Sequence, residues 1–499
     1  MRNPSLAVFF VLGLASASAQ QPNPAAPPPG TVPPGAAPLT FPTSTPSTPP
    51  SAAPPSAMPS APGPQTTLPG VTPLTGSKPL NLPVFTPQAP SGPVQTLTLA
   101  QAEKRAIAAN PQITAARLLA FAEGQVVRET RSADLPTLGL NLTAVDANSH
   151  ARITAGALNN PRVLKREGNG LAATLLLTDF GRTRDLIRAA HLRAQASQES
   201  QLATSNDIVF AVDQAYDRVL AAQAILNVAK QTQKTRQEAA DLIRALTNAK
   251  LKSTLDLSFA DVNVSQAKLL VLDARNSEAS AFAVLNALLG NESLVNYQLL
   301  DDAPTSPPVP PTDADPLIQL AFQQRPDLLS AVQQQGAAEQ FSQAERKLRL
   351  PTITALADTG LTPVRSDQIT SSWYGTAGAN VSIPIFTGFL YEARAKEAAF
   401  RAQAATQQVQ QLRQTVARDV RETVLEAQNN FERISVTQQI LDEANTSLQL
   451  SQTRYKLGIS SIVELSQAEL TQTQAEIDYE RARFTYQTSL AALRYQTGQ

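Results

Sequence analysis

Two acidic residues stand at matching places in this chain, Asp256 and Glu464, 208 residues apart. Each lies three positions after a serine, in Ser253-Thr254-Leu255-Asp256 and Ser461-Ile462-Val463-Glu464. That spacing is a capping box, in which the serine and the acid satisfy the free amides at a helix start. It also places a carboxylate one turn into each of the two helices. Other chemistry is scarce. There is no cysteine, so no disulfide and no lipidated N-terminal cysteine, and the two histidines, His150 and His191, are far apart in sequence, so a His/Cys metal cluster cannot be assembled. Asp179-Phe180-Gly181 copies a protein-kinase tripeptide, but it lies at a strand-to-helix junction with no glycine-rich or catalytic loop, and reads as punctuation. Asn141-Leu142-Thr143 fits a glycosylation sequon but falls within a strand pattern. Neither an enzyme nor a cofactor is implied.

The carboxylates belong to a duplicated framework. Asn110-Pro111-Gln112-Ile113 matches Arg325-Pro326-Asp327-Leu328, and Leu135-Pro136-Thr137 matches Leu350-Pro351-Thr352, both at a spacing of 215 residues. Leu257-Ser258 matches Leu465-Ser466, Gln266-Ala267 matches Gln474-Ala475, and Leu285 with Gly290 matches Leu493 with Gly498, all at 208. Pro136 and Gly181 are 45 residues apart, Pro351 and Gly388 only 37, so the length difference falls in a hairpin and its loop, where insertions are tolerated. The chain is two copies of one helix–hairpin–helix unit, expected over residues 96–300 and 316–499 with a linker at 301–315.

Within the first copy, Thr98 is a plausible N-cap for a helix to about Ala109, and Pro111 restarts helix to about Asp134. The period then changes to two: Leu138, Leu140, Leu142 and Ala144 alternate with polar or small residues, and Leu171, Ala173, Leu175 and Leu177 do the same. Strands are expected at about 137–146 and 169–179, with a loop carrying His150 between them, and in the second copy at about 352–361 and 373–384. From Gly181 to about Asn248, and from Gly388 to about Leu457, no proline or glycine interrupts helix. Each such helix would run roughly 100 Å at 1.5 Å per residue. Val416, Val420, Val424, Ala427, Phe431 and Ile434 recur at coiled-coil spacing.

Residues 1–19 read as a secretory signal, with Arg2, an apolar Leu6 to Ala15 and Ala17-Ser18-Ala19 before Gln20. Residues 20–95 hold 24 of the 38 prolines and one charged residue, Lys78, the composition of an unfolded tether or a ligand arm. Net charge is zero with the signs interspersed, so nucleic acid is not an expected partner. Four strands with one apolar face cannot close alone, and in lipid every backbone group must be satisfied. Trp373-Tyr374 at one end, with Phe180, Phe386, Phe389 and Tyr391 at the other, match the aromatic girdles of a barrel in outer-membrane lipid. A soluble hairpin pair capping a coiled coil is the plainer alternative.

The Asn-Pro and Arg-Pro-Asp-Leu openings, the Leu-Pro-Thr steps, Ser382-Ile383-Pro384-Ile385-Phe386 before Gly388, and above all the run from Arg454-Tyr455-Lys456-Leu457-Gly458-Ile459 to Leu465, resemble the TolC-like outer membrane efflux protein family. The likeness covers residues 97–499. It implies a mixed α and transmembrane β fold: a homotrimer with a twelve-stranded outer-membrane β-barrel, continued across the periplasm by a twelve-helix barrel. It also implies the exit duct of a tripartite efflux or type I secretion system, docked through a periplasmic adaptor to an inner-membrane transporter. Lys250, Leu251 and Lys252 fall on the family's first helical tip, and Leu457, Gly458, Ile459 and Ser460 on its second. Asp256, Glu464, Gln467 and Tyr455 fall at its aperture, Gln467 where the family can carry a second acid. Lys250 stands where the second copy has Gly458, a departure that leaves the geometry of the first tip open. Whether the two carboxylates gate the duct or cap helices also stays open here. A periplasmic coiled-coil adaptor or a fibrous surface protein are the competing readings.

Overall fold

The computed structural model describes residues 95–146, 165–301, 307–362 and 371–499. The expected signal segment, most of the proline-rich arm and His150 lie outside the described residues. Eight helices and six strands follow in order: β1 (Gln95–Leu97), α1 (Leu99–Ala109), α2 (Pro111–Arg131), β2 (Thr137–Asp146), β3 (Lys165–Thr178), α3 (Arg182–Asn248) and α4 (Thr254–Leu288), then β4 (Tyr297–Leu299), α5 (Asp315–Gln324), α6 (Pro326–Arg346), β5 (Thr352–Leu361), β6 (Trp373–Ser382), α7 (Leu390–Lys456) and α8 (Ile462–Thr497). Two short 3-10 turns, Ser132–Asp134 and Lys347–Arg349, close α2 and α6.

Local chemistry sets the helix starts. Thr98 and Gln101 form a reciprocal capping box at α1. The Asn110 side chain accepts from the Gln112 amide at 2.9 Å to start α2, while its Nδ2 donates to the Leu288 carbonyl at 3.1 Å. The long helices begin after two consecutive left-handed residues: Phe180 (φ 57°) and Gly181 (φ 87°) before α3, Gly388 (φ 60°) and Phe389 (φ 64°) before α7. Both helices are 67 residues long and start 208 positions apart. Gly388 is therefore the structural partner of Phe180, not of Gly181; the two residue types have exchanged places while the backbone turn has not. Each junction thus places one phenylalanine in a conformation that favours glycine.

β2, β3, β5 and β6 form one antiparallel sheet in that order. The register aligns Leu138, Ala173, Ala357 and Ala377 across all four strands, and next to them Leu140, Leu171, Thr359 and Gly375. The apolar positions read from each strand separately thus share one face. That face is bare: Leu138 and Leu142 are each 74% exposed and Trp373 is 62% exposed. β3 begins at Lys165, earlier than the alternation suggests, and β6 stops at Ser382, before Pro384, which has no amide to continue a ladder. β1 and β4 form a separate parallel pair that three-residue strands, too short to show a period, did not announce.

Burial follows small residues. Val416, Val420 and Ala427 on α7, and Val212, Val219 and Ala229 on α3, are fully enclosed. The largest cluster joins α1, α2, the β1–β4 pair, α3, α4 and α8 through Ala106, Ile113, Leu97, Tyr216, Leu285 and Phe484. The two copies are not used alike. α3 packs against α2 and α4 of its own copy and against α6 and α8 of the other, whereas the main partners of α7 are α5, α6 and α8, all from its own copy.

Candidate gate and docking tips

Each tip is a helix reversal built by the same hydrogen bonds. At the second, the Gly458 amide donates to the Tyr455 carbonyl at 3.1 Å and the Ile459 amide to the Arg454 carbonyl at 3.0 Å, with Gly458 left-handed at φ 76°. At the first, the Lys250 amide donates to Thr247 and the Leu251 amide to Leu246, both at 2.9 Å, with Lys250 at φ 60°. This is the Schellman closure, which satisfies otherwise orphaned carbonyls at a helix end. The lysine therefore adopts the glycine conformation and the two turns coincide, which resolves the question that Lys250 raised. Lys250, Leu251, Leu457, Gly458 and Ile459 are exposed at the apices, and Lys252 and Ser460 are half-buried beside them.

The carboxylates differ. Asp256 completes a capping box: its amide donates to Ser253 Oγ at 3.1 Å, and its Oδ2 accepts from the Ser253 amide at 3.4 Å. At the second tip only half of that box forms. The Glu464 amide donates to Ser461 Oγ at 3.2 Å, but the Glu464 carboxylate faces Arg454 Nη1 at 3.3 Å, across the turn on α7. The longer side chain reaches past the cap to a cation that the first tip lacks, since Leu246 stands at the equivalent position. Both acids are half-buried, and Gln467 is exposed one turn further on.

Tyr455 is 8% exposed and lies in a cluster with Ala240, Ile243, Ala260, Val264, Ile462 and Leu465, drawn from all four tip helices. Lys252 Nζ sits 4.1 Å from its ring centroid, a cation–π contact between the tips. Burial, and then the charge of Asp256, raise its hydroxyl pKa, and that buried hydroxyl has no hydrogen-bond partner among the described residues. In the single chain Tyr455 is thus a spacer between the two tips, with its polar end unspent.

Further along, four polar residues that sequence reasoning passed over tie the hairpins together. Asn263 on α4 donates to Ser466 Oγ on α8 at 2.7 Å and accepts from it at 3.1 Å. Arg236 on α3 donates to the Asn263 carbonyl at 3.4 Å, and Glu469 on α8 is buried with it. Burial pushes the guanidinium pKa down and the carboxyl pKa up, each partly offset by the other's charge. Isolated charges on polar helices carry no periodic signal, so only the folded neighbours mark them.

Comparison with known proteins fits this geometry. Residues 103–291 and 317–499, most of both copies, match the family described as outer membrane efflux protein. The chain belongs to that family. Outer membrane protein TolC of Escherichia coli K12 is 24% identical over 415 residues, covering 79% of this chain and 80% of that protein. The alkaline protease secretion protein AprF of Pseudomonas aeruginosa is 23% identical over 316 residues, 61% of this chain and 64% of the relative. The crystal structure of VceC from Vibrio cholerae superposes with a TM-score of 0.70 over 80% of this chain and 96% of that one, at 18% identity, a likeness of fold. The outer membrane efflux protein assignment selects an outer-membrane exit channel over the periplasmic adaptor, and its relatives are channels rather than enzymes.

Proposed function

We propose that three copies of this chain close one pore: a twelve-stranded barrel in the outer membrane, continued by a helical duct across the periplasm. The pore is passive and opens when a periplasmic adaptor, joined to an inner-membrane transporter, engages the tips. The observation that carries this reading is the unequal use of the two copies. β3 pairs with β5, α3 packs on α6, and α3 packs on α8, each a contact between the first copy and the second. The equivalent contacts leading out of the second copy, β6 with β2, α7 with α2 and α7 with α4, are not among the main contacts within the chain. A second chain supplies all three at once, and a closed ring leaves no strand edge bare. Apolar residues on the faces concerned support it: Leu118, Leu119 and Phe121 of α2 and Phe400 of α7 are each more than 60% exposed.

In this assembly Asp256 and Glu464 come together near the narrow end as six carboxylates, with Tyr455 behind them and Gln467 contributing no charge. The ring favours cations and raises the barrier to anions, while Lys250, Leu251, Lys252, Leu457, Gly458, Ile459 and Ser460 form the surface that an adaptor grips. Replacing both acids, Asp256→Ala with Glu464→Ala, is expected to raise the conductance of the closed duct in planar bilayers and to cut its preference for cations severalfold. Unchanged conductance and selectivity would remove the gating role and leave the carboxylates as caps.

A further inference from the structure

The joint that seats α1 on the long helices holds a buried acid with no use in the channel reading. Asp213 on α3 is 6% exposed. One of its oxygens, Oδ2, lies 3.6 Å from Arg494 Nη2 on α8; the other, Oδ1, is sealed from solvent and has no hydrogen-bond donor among the described residues. A buried carboxylate oxygen without a donor costs free energy, and a proton is the smallest group that removes the cost. Further acids lie in the same joint. Glu103 approaches from α1, within side-chain hydrogen-bonding reach of Asp213. Asp217, one turn on along α3, accepts from Thr488 Oγ1 at 3.2 Å. Asp301 follows β4 and is paired with Arg483 of α8. Counting Glu480, which also pairs with Arg483 at 3.7 Å, five carboxylates thus lie around two arginines, Arg494 and Arg483. Between Asp213 and Asp217, the Tyr216 hydroxyl lies 2.8 Å from both the Leu97 and Leu300 carbonyls, either of which can take its one proton, and accepts from the Leu300 amide at 3.2 Å, fixing the β1–β4 pair to α3 at the same spot.

We propose that this joint is a proton-operated latch: a proton held between Asp213 and Glu103 keeps α1 and the β1–β4 pair seated on α3 and α8, and its loss loosens them. The second copy shows that the device is not a requirement of the fold. At the spacings that relate the copies, Ile318 stands for Glu103, Arg421 for Asp213 and Leu425 for Asp217. There the α5–α7 joint is closed by an apolar cluster of Ile318, Ala321, Val416 and Val420, with Arg421 paired to Asp315 at 3.4 Å. Burial, with Glu103 next in weight, raises the Asp213 pKa to about 7, and burial raises that of Asp217 to about 6. A carboxyl that holds its proton more tightly in the folded joint than in the free chain stabilises the joint fully at pH below 3.8, and that contribution is lost as pH rises through about 7. The latch therefore loosens on the alkaline side.

Hydrogen exchange of residues 95–109 in the purified full chain, corrected for the intrinsic pH dependence, tests this at pH 5.5 and 8.5. The wild type is expected to open at least about tenfold more readily at pH 8.5, the change that one unit of pKa shift produces. Asp213→Asn, which keeps the shape and removes the Asp213 titration, is expected to lose most of the dependence, with a small remainder from Asp217, and Glu103→Gln to reduce it. Exchange of α5, residues 315–324, serves as the internal reference and is expected not to change. The proposal is overturned if the wild type shows no pH dependence, if α5 responds equally, or if Asp213→Asn retains the full effect. Should Asp213→Asn not fold, the carboxyl stretch of a protonated acid in the infrared, lost with a midpoint near neutral pH in the wild type and shifted in Glu103→Gln, decides the same question; its absence at pH 5.5 overturns the proposal.

Discussion

The two tips share a backbone and differ in how they fill it. The second uses glycine for the left-handed position and spends its acid on an ion pair with Arg454; the first uses lysine and spends its acid on a complete cap. Backbone geometry is set by the hydrogen bonds that a helix reversal must make, so two sequences converge on it. Side-chain chemistry is free to diverge, and it leaves the first tip with a fixed carboxylate and the second with one held by a surface contact. Tyr455, reaching from the second tip into the helices of the first, makes the pair one packed unit rather than two independent turns.

Several substitutions would break or sharpen that contrast. Tyr455→Ala removes an enclosed ring from the shared cluster and is expected to cost about 3 kcal/mol, the range of large-to-small changes in cores, read as faster amide exchange at Ala240, Ile243 and Leu465 together. Loss confined to the second tip would show that the tips are not packed as one unit. Tyr455→Phe deletes only the unpartnered hydroxyl and is expected to be neutral or stabilising by up to about 1 kcal/mol; clear destabilisation would mean that the hydroxyl finds a partner in the assembly. At the turns, Gly458→Ala is expected to cost about 1 kcal/mol and Lys250→Gly to gain a similar amount, because only one of the two now strains a left-handed residue. Exchange of the Ile459 and Leu251 amides reports each. Smallest of all, Arg454→Gln is expected to change stability by no more than about 0.5 kcal/mol, with an effect that fades at high salt. A larger, salt-independent loss would make the Arg454–Glu464 contact more than an exposed ion pair.

Much of this architecture could be read before folding because the signals are periodic and occur twice. Alternation at Leu138, Leu140 and Leu142 marks a strand whatever surrounds it, and long Ala- and Gln-rich stretches with helical periodicity and no proline or glycine read as long helices. What escaped was whatever depends on neighbours distant in sequence. The β1–β4 pair is three residues against three, placed by Tyr216 from another helix. The partnership of Gly388 with Phe180 is invisible to an alignment that matches glycine to glycine, since it is the dihedral angles that correspond. Family position put Tyr455 at the aperture, whereas its burial comes from α8 just beyond the turn and from Ala240, Ile243, Ala260 and Val264 of α3 and α4, far earlier in the sequence. Arg236 and Glu469 gave no pattern at all, being single charges among many until the fold enclosed them.

The central claim, that the contacts missing from the second copy are made to another chain, has a direct measurement. Within the chain, Ser330 of α6 and Ser200 of α3 meet with their Oγ atoms 2.9 Å apart. The spacings that relate the copies carry this pair to Ala115 of α2 and Gln408 of α7, both exposed in the single chain. The protein has no cysteine to interfere, so Ala115→Cys with Gln408→Cys can be oxidised in the membrane and run on a denaturing, non-reducing gel. Three shared interfaces predict a ladder ending in a covalent trimer, reversed by reductant, with either single variant migrating as a monomer. A double variant that remains monomeric under oxidation, with both thiols still accessible to a maleimide, would contradict the shared pore.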